Sequence, residues 1–509
     1  MNKQKFLSIV FMYFILFAGL TLTAQHADDV GNIFDELEWR SVGPALMGGR
    51  TVDIEAAPGK PWILYAAIGP SGLWKSENAG ITWEPIFDNQ STVSIGDVAV
   101  APSKPDTIWV GTGEATARNS VTIGDGIYQS TDGGKTWAHK GLTETRHISR
   151  VLVHPENPDV VYVGAAGHLW GPNEERGVFR TRDGGDTWEK VLYSNPNTGI
   201  ADLAMDPSNP DILYAAAWEY QRFPYYFYSG GPQSGIYKTE DGGSTWKKLV
   251  NDLPQGILGR IGLAVAPSRP EVVYALIENE DGGIWRSEDR GGSWDRMCDN
   301  EVFTTINFCP FYYSRMTVDP NDDAVLYVYS GGLFVSKDKG QKFRPISQGT
   351  HPDHHTLWVN PENSLHIVDG NDGGIDISYD AGQNWHAVQS MALAEVYQIG
   401  FDMEKPYHVY CGLQDNGVWG GPNATWDTAG IVNADWFNVG GGDGFYCQVD
   451  PENPDIVYAN SQMNGLYRVN RSLGRSKNIK PRAPLEEPPY GFNWNSPVLI
   501  SPHDSRTIF

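Results

Sequence analysis

The chain is 509 residues long, carries a formal net charge of −24 and is 40% hydrophobic. That acidity argues against nucleic acid and anionic membrane surfaces as partners, and the length suits a repeat architecture or two domains better than one ordinary core. With 57 glycines and 18 tryptophans, the composition points to many tight turns, and to tryptophans used as repeated packing positions or as sugar-stacking platforms.

The first element in chain order is an export signal. "MNKQK" is a basic start, "FLSIVFMYFILFAGLTLTA" an apolar run, and a cut after Ala24 would release the mature chain. The run is almost long enough to span a bilayer, so an uncleaved anchor is the alternative. The long polar sequence that follows at once favours cleavage, and with it a secreted or periplasmic protein with no membrane insertion. No cysteine stands at the cut, which argues against a lipid anchor.

From here the chain repeats itself. "SENAGITW" ends at Trp83, "STDGGKTW" at Trp137, "TRDGGDTW" at Trp188, "TEDGGSTW" at Trp246, "SEDRGGSW" at Trp294, "SKDKGQKF" at Phe343 and "SYDAGQNW" at Trp385. A second motif keeps step: "APSKPDTIWVG" (101–111), "HPENPDVVYVG" (154–164) and their relatives, the last being "DPENPDIVYAN" (450–460). Each is a Pro/Asn/Asp turn running into a β-branched and aromatic strand. A unit thus reads as four short strands in about 50 residues, the size of one β-propeller blade, and no segment shows sustained helical periodicity. In the eight-residue string the hydroxyl and the aspartate serve hydrogen bonds within a hairpin. The fifth-position glycine supplies a positive φ, and the aromatic fills the wedge between blades. Six aspartates and one asparagine spread round a ring cannot converge on one reacting atom, so the string reads as scaffold.

The string resembles the Asp box of the BNR-repeat propellers, which include sialidases, two-propeller xyloglucan-cleaving hydrolases and the sortilin/VPS10 ectodomain. "GTGEATARNS", "GHLWGPNEERGVFRT", "HPDHHTLWVNP", "GLQDNGVWGGP" and "GGGDGF" look like a sortilin-like group of secreted bacterial proteins. The resemblance implies an all-β propeller with its boxes away from the ligand face. The expected domains are a signal peptide (1–24), a seven-bladed propeller (33–390) and the opening blades of a second, truncated one (391–509). A single ring of nine or ten blades is the alternative. "RSLGRSKNIKPRAPLEEPPYG" (471–491) reads as an exposed loop.

Function is then sought where the repeat breaks. Asp415 and Asp443, in two glycine-flanked strings, could act as acid and base in glycoside cleavage, with Glu114 as a third carboxylate; the alternative is Asp-Gly turn chemistry. Gln414 and Asn416 flank Asp415 as ligand-binding candidates. His351, Asp353, His354, His355, Asp369 and Asp372 form the densest cluster of possible ligands, but neighbouring residues on a strand face opposite ways, so a hydrogen-bonded network at the channel is favoured over a metal or polar-substrate site. Arg118, His168 and Trp170 belong to polar insertions placed to line a channel mouth. The aromatic stretch 218–235 is either a stacking platform or inter-blade packing.

The tripeptide Arg-Ile-Pro that sialidases resembling this chain carry is absent. The aspartate of the xyloglucan hydrolases' first blade falls at Gly69 or Pro70 here, which puts an acid/base pair in doubt. No cofactor or metal is expected. Cys298, Cys309, Cys411 and Cys447 do not have zinc-site spacing; pairing as Cys298–Cys309 and Cys411–Cys447 and four free thiols are equally open. The expected role is recognition of an extracellular or periplasmic polysaccharide or peptide at the channel face. A glycoside hydrolase is the second reading and a structural module of a surface assembly the third.

Overall fold

A computed structural model describes residues 40–43, 48–118 and 120–509; the expected signal peptide lies outside the described residues. A short first unit ends at Gly43, and a second, from Pro44 to Phe509, carries every sheet. Among the described residues nine antiparallel sheets follow one another, at 51–85, 95–139, 148–192, 198–248, 261–296, 315–345, 354–387, 396–440 and 447–478. Each is a four-stranded meander, and the fourth sheet has an added strand, Tyr226–Ser229, paired to the end of Leu213–Phe223. This nearly all-β architecture is that of a β-propeller.

The first strands of the first seven sheets touch in order. Thr51–Ala57 meets Ile95–Val100, which meets Ile148–Val153, and so on to His354–Val359, which returns to Thr51–Ala57. The apolar core is divided accordingly, one cluster to each junction. Leu73, Val98 and Val110 fill the junction of the first and second sheets, and Leu64, Trp83 and Ile377 that of the seventh and first. The eighth and ninth sheets share their own cluster around Tyr410, Val439 and Val457. Alternation of inward and outward side chains makes this possible, because each strand of a blade has a neighbour on both faces.

The Asp boxes close the hairpin between third and fourth strands. In all seven the first-position hydroxyl accepts the fifth-position glycine N–H at 2.7–2.9 Å, and that glycine has φ between +80° and +91°. The third-position side chain, Asn78 in the first box and aspartate in the rest, accepts the seventh residue's N–H at 2.8–2.9 Å. Box tryptophans reach the preceding sheet: Trp137, Trp188 and Trp385 each donate to a carbonyl there at 2.7 Å, and Trp188 meets fully buried Trp109 edge-on.

These hydrogen bonds hold the carboxyls of Asp183, Asp241 and Asp380 down to about 2. Their contribution is therefore complete above the unfolded value near ~3.9 and is lost as pH falls through about 2. The melting temperature should fall steadily between pH 4 and pH 2, and Asp241→Ala should flatten part of that fall. Parallel pH–melting curves for variant and parent would show the boxes to be electrostatically idle.

Of the two readings left open for the cysteines, the structure has the free thiols: all four are unpaired, and burial pushes the thiols of Cys309 and Cys411 up to about 11. Two expectations change. The loop at 471–491 contains the ninth sheet's outer strand, Arg475–Asn478, where the polar sequence hid an edge strand. A seven-residue helix, Asn300–Ile306, is capped by Asp299 accepting from Val302 N–H at 2.9 Å; it is too short for periodicity to reveal.

Candidate functional site

In a meander the hairpins between first and second strands and between third and fourth lie at one end, and the second-to-third hairpins and inter-sheet connections at the other. The boxes occupy the first end. Every residue singled out by sequence belongs to the second end or to the strand segments that lead to it. Glu114 and Arg118 sit between Ile108–Thr112 and Ile127–Ser130, and Asp372 in the turn from Ile367–Asn371 to Gly374–Ser378. Asp415 occupies the turn from His408–Leu413 to Gly417–Pro422, and Asp443 the connection from the eighth to the ninth sheet.

Arg50, which the sequence did not mark out, is the centre of the site and is 2% exposed. Its Nη1 donates to both oxygens of Glu114 (2.9 and 2.8 Å), its Nε to Asp372 Oδ1 (3.0 Å) and the Tyr312 hydroxyl (3.0 Å), and its Nη2 to Glu395 (3.2 Å). One guanidinium thus ties together the first, second and seventh sheets and the segment leading into the eighth, as its fixed fork of donors allows. Burial works against its charge, but Glu114 and its other partners raise its pKa further still.

Asp372 is the second hub. Its Oδ1 also contacts His355 Nε2 (2.8 Å) and its Oδ2 accepts from Tyr312 (3.2 Å). Burial would raise its pKa, yet Arg50 and His355 hold it well below the usual carboxylate range. Asp415, half-buried, is hydrogen-bonded to Asp372 and moves the other way. Burial, the Asp372 charge and that hydrogen bond push it up to about 9. Two carboxyls this close cannot both ionise cheaply, which is why Asp415 is raised while Asp372, on Arg50, is lowered.

Asp415 is also held in place. Its φ is +57°, a conformation aspartate tolerates better than most residues. Its N–H donates to Asp443 Oδ1 (2.9 Å), and Gln414 Nε2 donates to its Oδ2 (2.6 Å). Asp443 Oδ2 accepts from Trp494 Nε1 (3.0 Å), and Asn416 Nδ2 donates to the Asp372 carbonyl (3.0 Å). Arg118 completes the rim through Tyr397 (3.1 Å) and Tyr312 (3.4 Å).

The candidates divide on this geometry. Glu114, Arg118, His355, Asp372, Gln414, Asp415, Asn416 and Asp443 are brought into one network. Glu114 is 3% exposed, with both oxygens on Arg50 and Thr116 as a further donor; burial raises its pKa and Arg50 opposes the rise. A Cβ on Gly69 would lie 3.0 Å from Glu114 Oε2, so the Glu114 carboxylate fills the space beside that glycine. His354 turns away from its neighbour to Asp369 (2.7 Å), and Asn371 donates to the same carboxylate. His168 and Trp170 lie on the loop of the third sheet, His168 contacting the Glu144 carbonyl (3.1 Å) and Trp170 half-exposed.

Sequence reasoning missed Arg50, Tyr312 and Glu395 as partners. Isolated in unremarkable strings, they carry no local signal.

Two groups among the described residues bring three metal-ligating side chains within 4.8 Å: Asp353, Asp372 and Asp415, and Asp402, Glu404 and His408. In the first, Asp372 already spends its oxygens on Arg50, His355 and Tyr312, and Asp353 accepts from Tyr313. That donor set suits a shared proton.

A family model described as sortilin, neurotensin receptor 3 matches residues 125–256, and one for the BNR-Asp box repeat matches 284–296. A xyloglucanase from a Paenibacillus species is 25% identical over 344 residues, covering 60% of this chain and 32% of that protein. The xyloglucanase Xgh74A of Acetivibrio thermocellus is 24% identical, covering 57% and 37%. The chain spans about a third of the length of these curated relatives. Among solved structures, an ancestral GH74 enzyme aligns over 85% of this chain and 69% of its own, with TM-score 0.50 and 18% identity. PorZ of Porphyromonas gingivalis, a surface component of the type-IX secretion system, aligns over 88% and 54%, with TM-score 0.50 and 14% identity. Box geometry, family matches and relatives together show an Asp-box repeat β-propeller chain that is similar to the sortilin model over residues 125–256 and to the xyloglucanase-type propellers.

Proposed function

We propose that this chain acts on a polysaccharide with a xyloglucan-like glucan backbone, bound across the face that carries Asp415, with Asp415 as general acid. The observation that carries the reading is the Asp372–Asp415 pair: a half-buried carboxyl that burial and the Asp372 charge raise to about 9, beside one that Arg50 and His355 hold well below the usual carboxylate range. Environments that split two carboxyls in this way mark acid/base assignments. The names of the curated relatives supply the substrate class. The Asp372 and Asp415 oxygens are closer than the ~5–5.5 Å of a nucleophile–acid pair, so Asp372 is read as the group that holds Asp415 protonated. Glu114 is read as an anchor for Arg50, and Asp443 as a clamp on the Asp415 backbone. The first seven sheets are read as one propeller, the last two as the opening of a second, and residues 1–24 as an export signal.

A second reading, recognition without cleavage, is favoured by one observation: Glu114 and Asp443 have both oxygens engaged, so neither is a free base. Incubation of the full chain with xyloglucan, cellulose and mixed-linkage glucan, followed by assay of new reducing ends, separates the two. Release from xyloglucan is expected. Retention of the polymer without release would overturn cleavage and leave recognition.

A further inference from the structure

In the fourth sheet the strand Leu213–Phe223 runs on beyond its blade and turns at 224–225 into the added strand Tyr226–Ser229. As a second-to-third hairpin it stands at the same end as Asp415. The register sorts its side chains: Arg222 pairs with Phe227 and Tyr220 with Ser229 on one face, Phe223 with Tyr226 and Gln221 with Tyr228 on the other. The first face is bound to the ring. Tyr220 stacks on Trp218 with 4.2 Å between centroids, Phe227 lies 4.8 Å from Phe311, and Arg222 sits over the Phe227 ring. Arg222 Nε donates to the Ala117 carbonyl (3.1 Å), and its backbone N–H to the Leu169 carbonyl (3.0 Å). The hairpin is thus fastened to loops of the second and third sheets, next to Arg118 of the Asp415 rim and next to half-exposed Trp170. The second face is left open. Tyr225, Tyr226 and Tyr228 are 90%, 57% and 37% exposed. The Phe223 ring lies 6.4 Å from that of Tyr225 and 6.5 Å from that of Tyr226, inclined by 32° to each.

We infer that the open face of this hairpin is a sugar-stacking platform for a glucan chain, built on Phe223, Tyr225 and Tyr226, with the Gln221 amide and the Tyr228 hydroxyl as its hydrogen-bonding groups. The inference rests on the glucan reading above and adds to it a binding subsite apart from Asp415. Packing does not account for these rings. The Phe223–Tyr226 cross-strand pair supports the ribbon, but the hairpin is anchored through its other face, and Tyr225 at the turn is almost wholly in water. A contiguous exposed aromatic patch marks a contact surface. The residue types favour a sugar as the guest: an aromatic face covers the C–H face of a pyranose, while phenol hydroxyls and an amide meet its hydroxyl groups. Rings so little inclined to one another make a broad, shallow surface, which fits a flat polymer; the anchor residue of a protein partner takes a pocket.

Affinity electrophoresis of the full chain through gels containing xyloglucan tests the platform, with Asp415→Asn in every protein so that the polymer stays whole. Tyr225→Ala together with Tyr226→Ala is expected to weaken retention about tenfold, as loss of anchoring aromatics does. The melting temperature should stay with the parent's, because both rings are exposed. Equal retention of the two proteins, or retention of neither, overturns the platform. A variant that melts well below its parent would make the rings part of the fold and overturn it as well. Reducing-end release by the unaltered chain tests cleavage separately: retention that depends on the tyrosines, in a chain that releases no ends, keeps the platform and removes Asp415 from catalysis.

Discussion

Arg50→Met should destabilise the protein by about 3–5 kcal/mol, the cost of stranding buried charges by removing their partner. The methionine keeps much of the volume, so the loss is electrostatic rather than a cavity. Glu114 and Asp372 are each 3% exposed and neither can turn to water. With the guanidinium gone, both carboxyls would be raised above their unfolded values, and a raised carboxyl costs stability only where the unfolded chain is ionised. The deficit should therefore already be present near pH 4, where Arg50 keeps Asp372 ionised in the parent, and grow as pH rises to 8. Adding Glu114→Gln should recover part of it, because one of the stranded charges is then removed. Urea unfolding at both pH values decides the matter. A deficit under about 1 kcal/mol at pH 8 would mean that the four-sheet junction does not depend on Arg50.

Asp415→Asn should abolish cleavage while leaving the fold intact. Loss of a positioned general acid costs typically ~10²–10⁴-fold, and that is the drop expected in reducing-end release from xyloglucan. Asparagine tolerates the φ of +57° as aspartate does, and its amide can donate to Asp372 in place of the shared proton. Stability should thus stay within about 1 kcal/mol of the parent, which separates a chemical role from a structural one. The parent's activity should hold to about pH 9 and fall above it as Asp415 ionises. A variant that releases reducing ends within threefold of the parent would remove Asp415 from the chemistry. A variant that melts much earlier would make it a scaffold residue.

The two conclusions differ in how far the sequence alone could carry them. The boxes were legible because their physics is local. Ser130, Asp132, Gly134 and Thr136 satisfy one another within an eight-residue hairpin, so spacing and residue type already contain the interaction. The strand runs were legible for the same reason, and seven repetitions of one pattern leave little room for another fold. Where the pattern thinned the reading failed: Arg475–Asn478 has no apolar residue to announce a strand, and pairs only because its neighbour offers an open edge.

The site lies on the other side of that divide. Asp415, Asp443 and Glu114 could be suspected from glycine-flanked strings, but not their relation, because the contacts that define it join distant parts of the chain. Arg50 meets Glu114 across 64 residues, Asp372 across 322 and Glu395 across 345. Only closure of the sheets brings these charges into one low-dielectric space, where a carboxyl's proton is decided by its neighbours rather than by its own identity. The sequence determined by itself that hairpins would form and which end of each blade they would occupy. The tertiary structure decided which carboxyl keeps a proton and which is spent on an arginine, because burial and charge proximity are properties of the assembled ring and of no single segment.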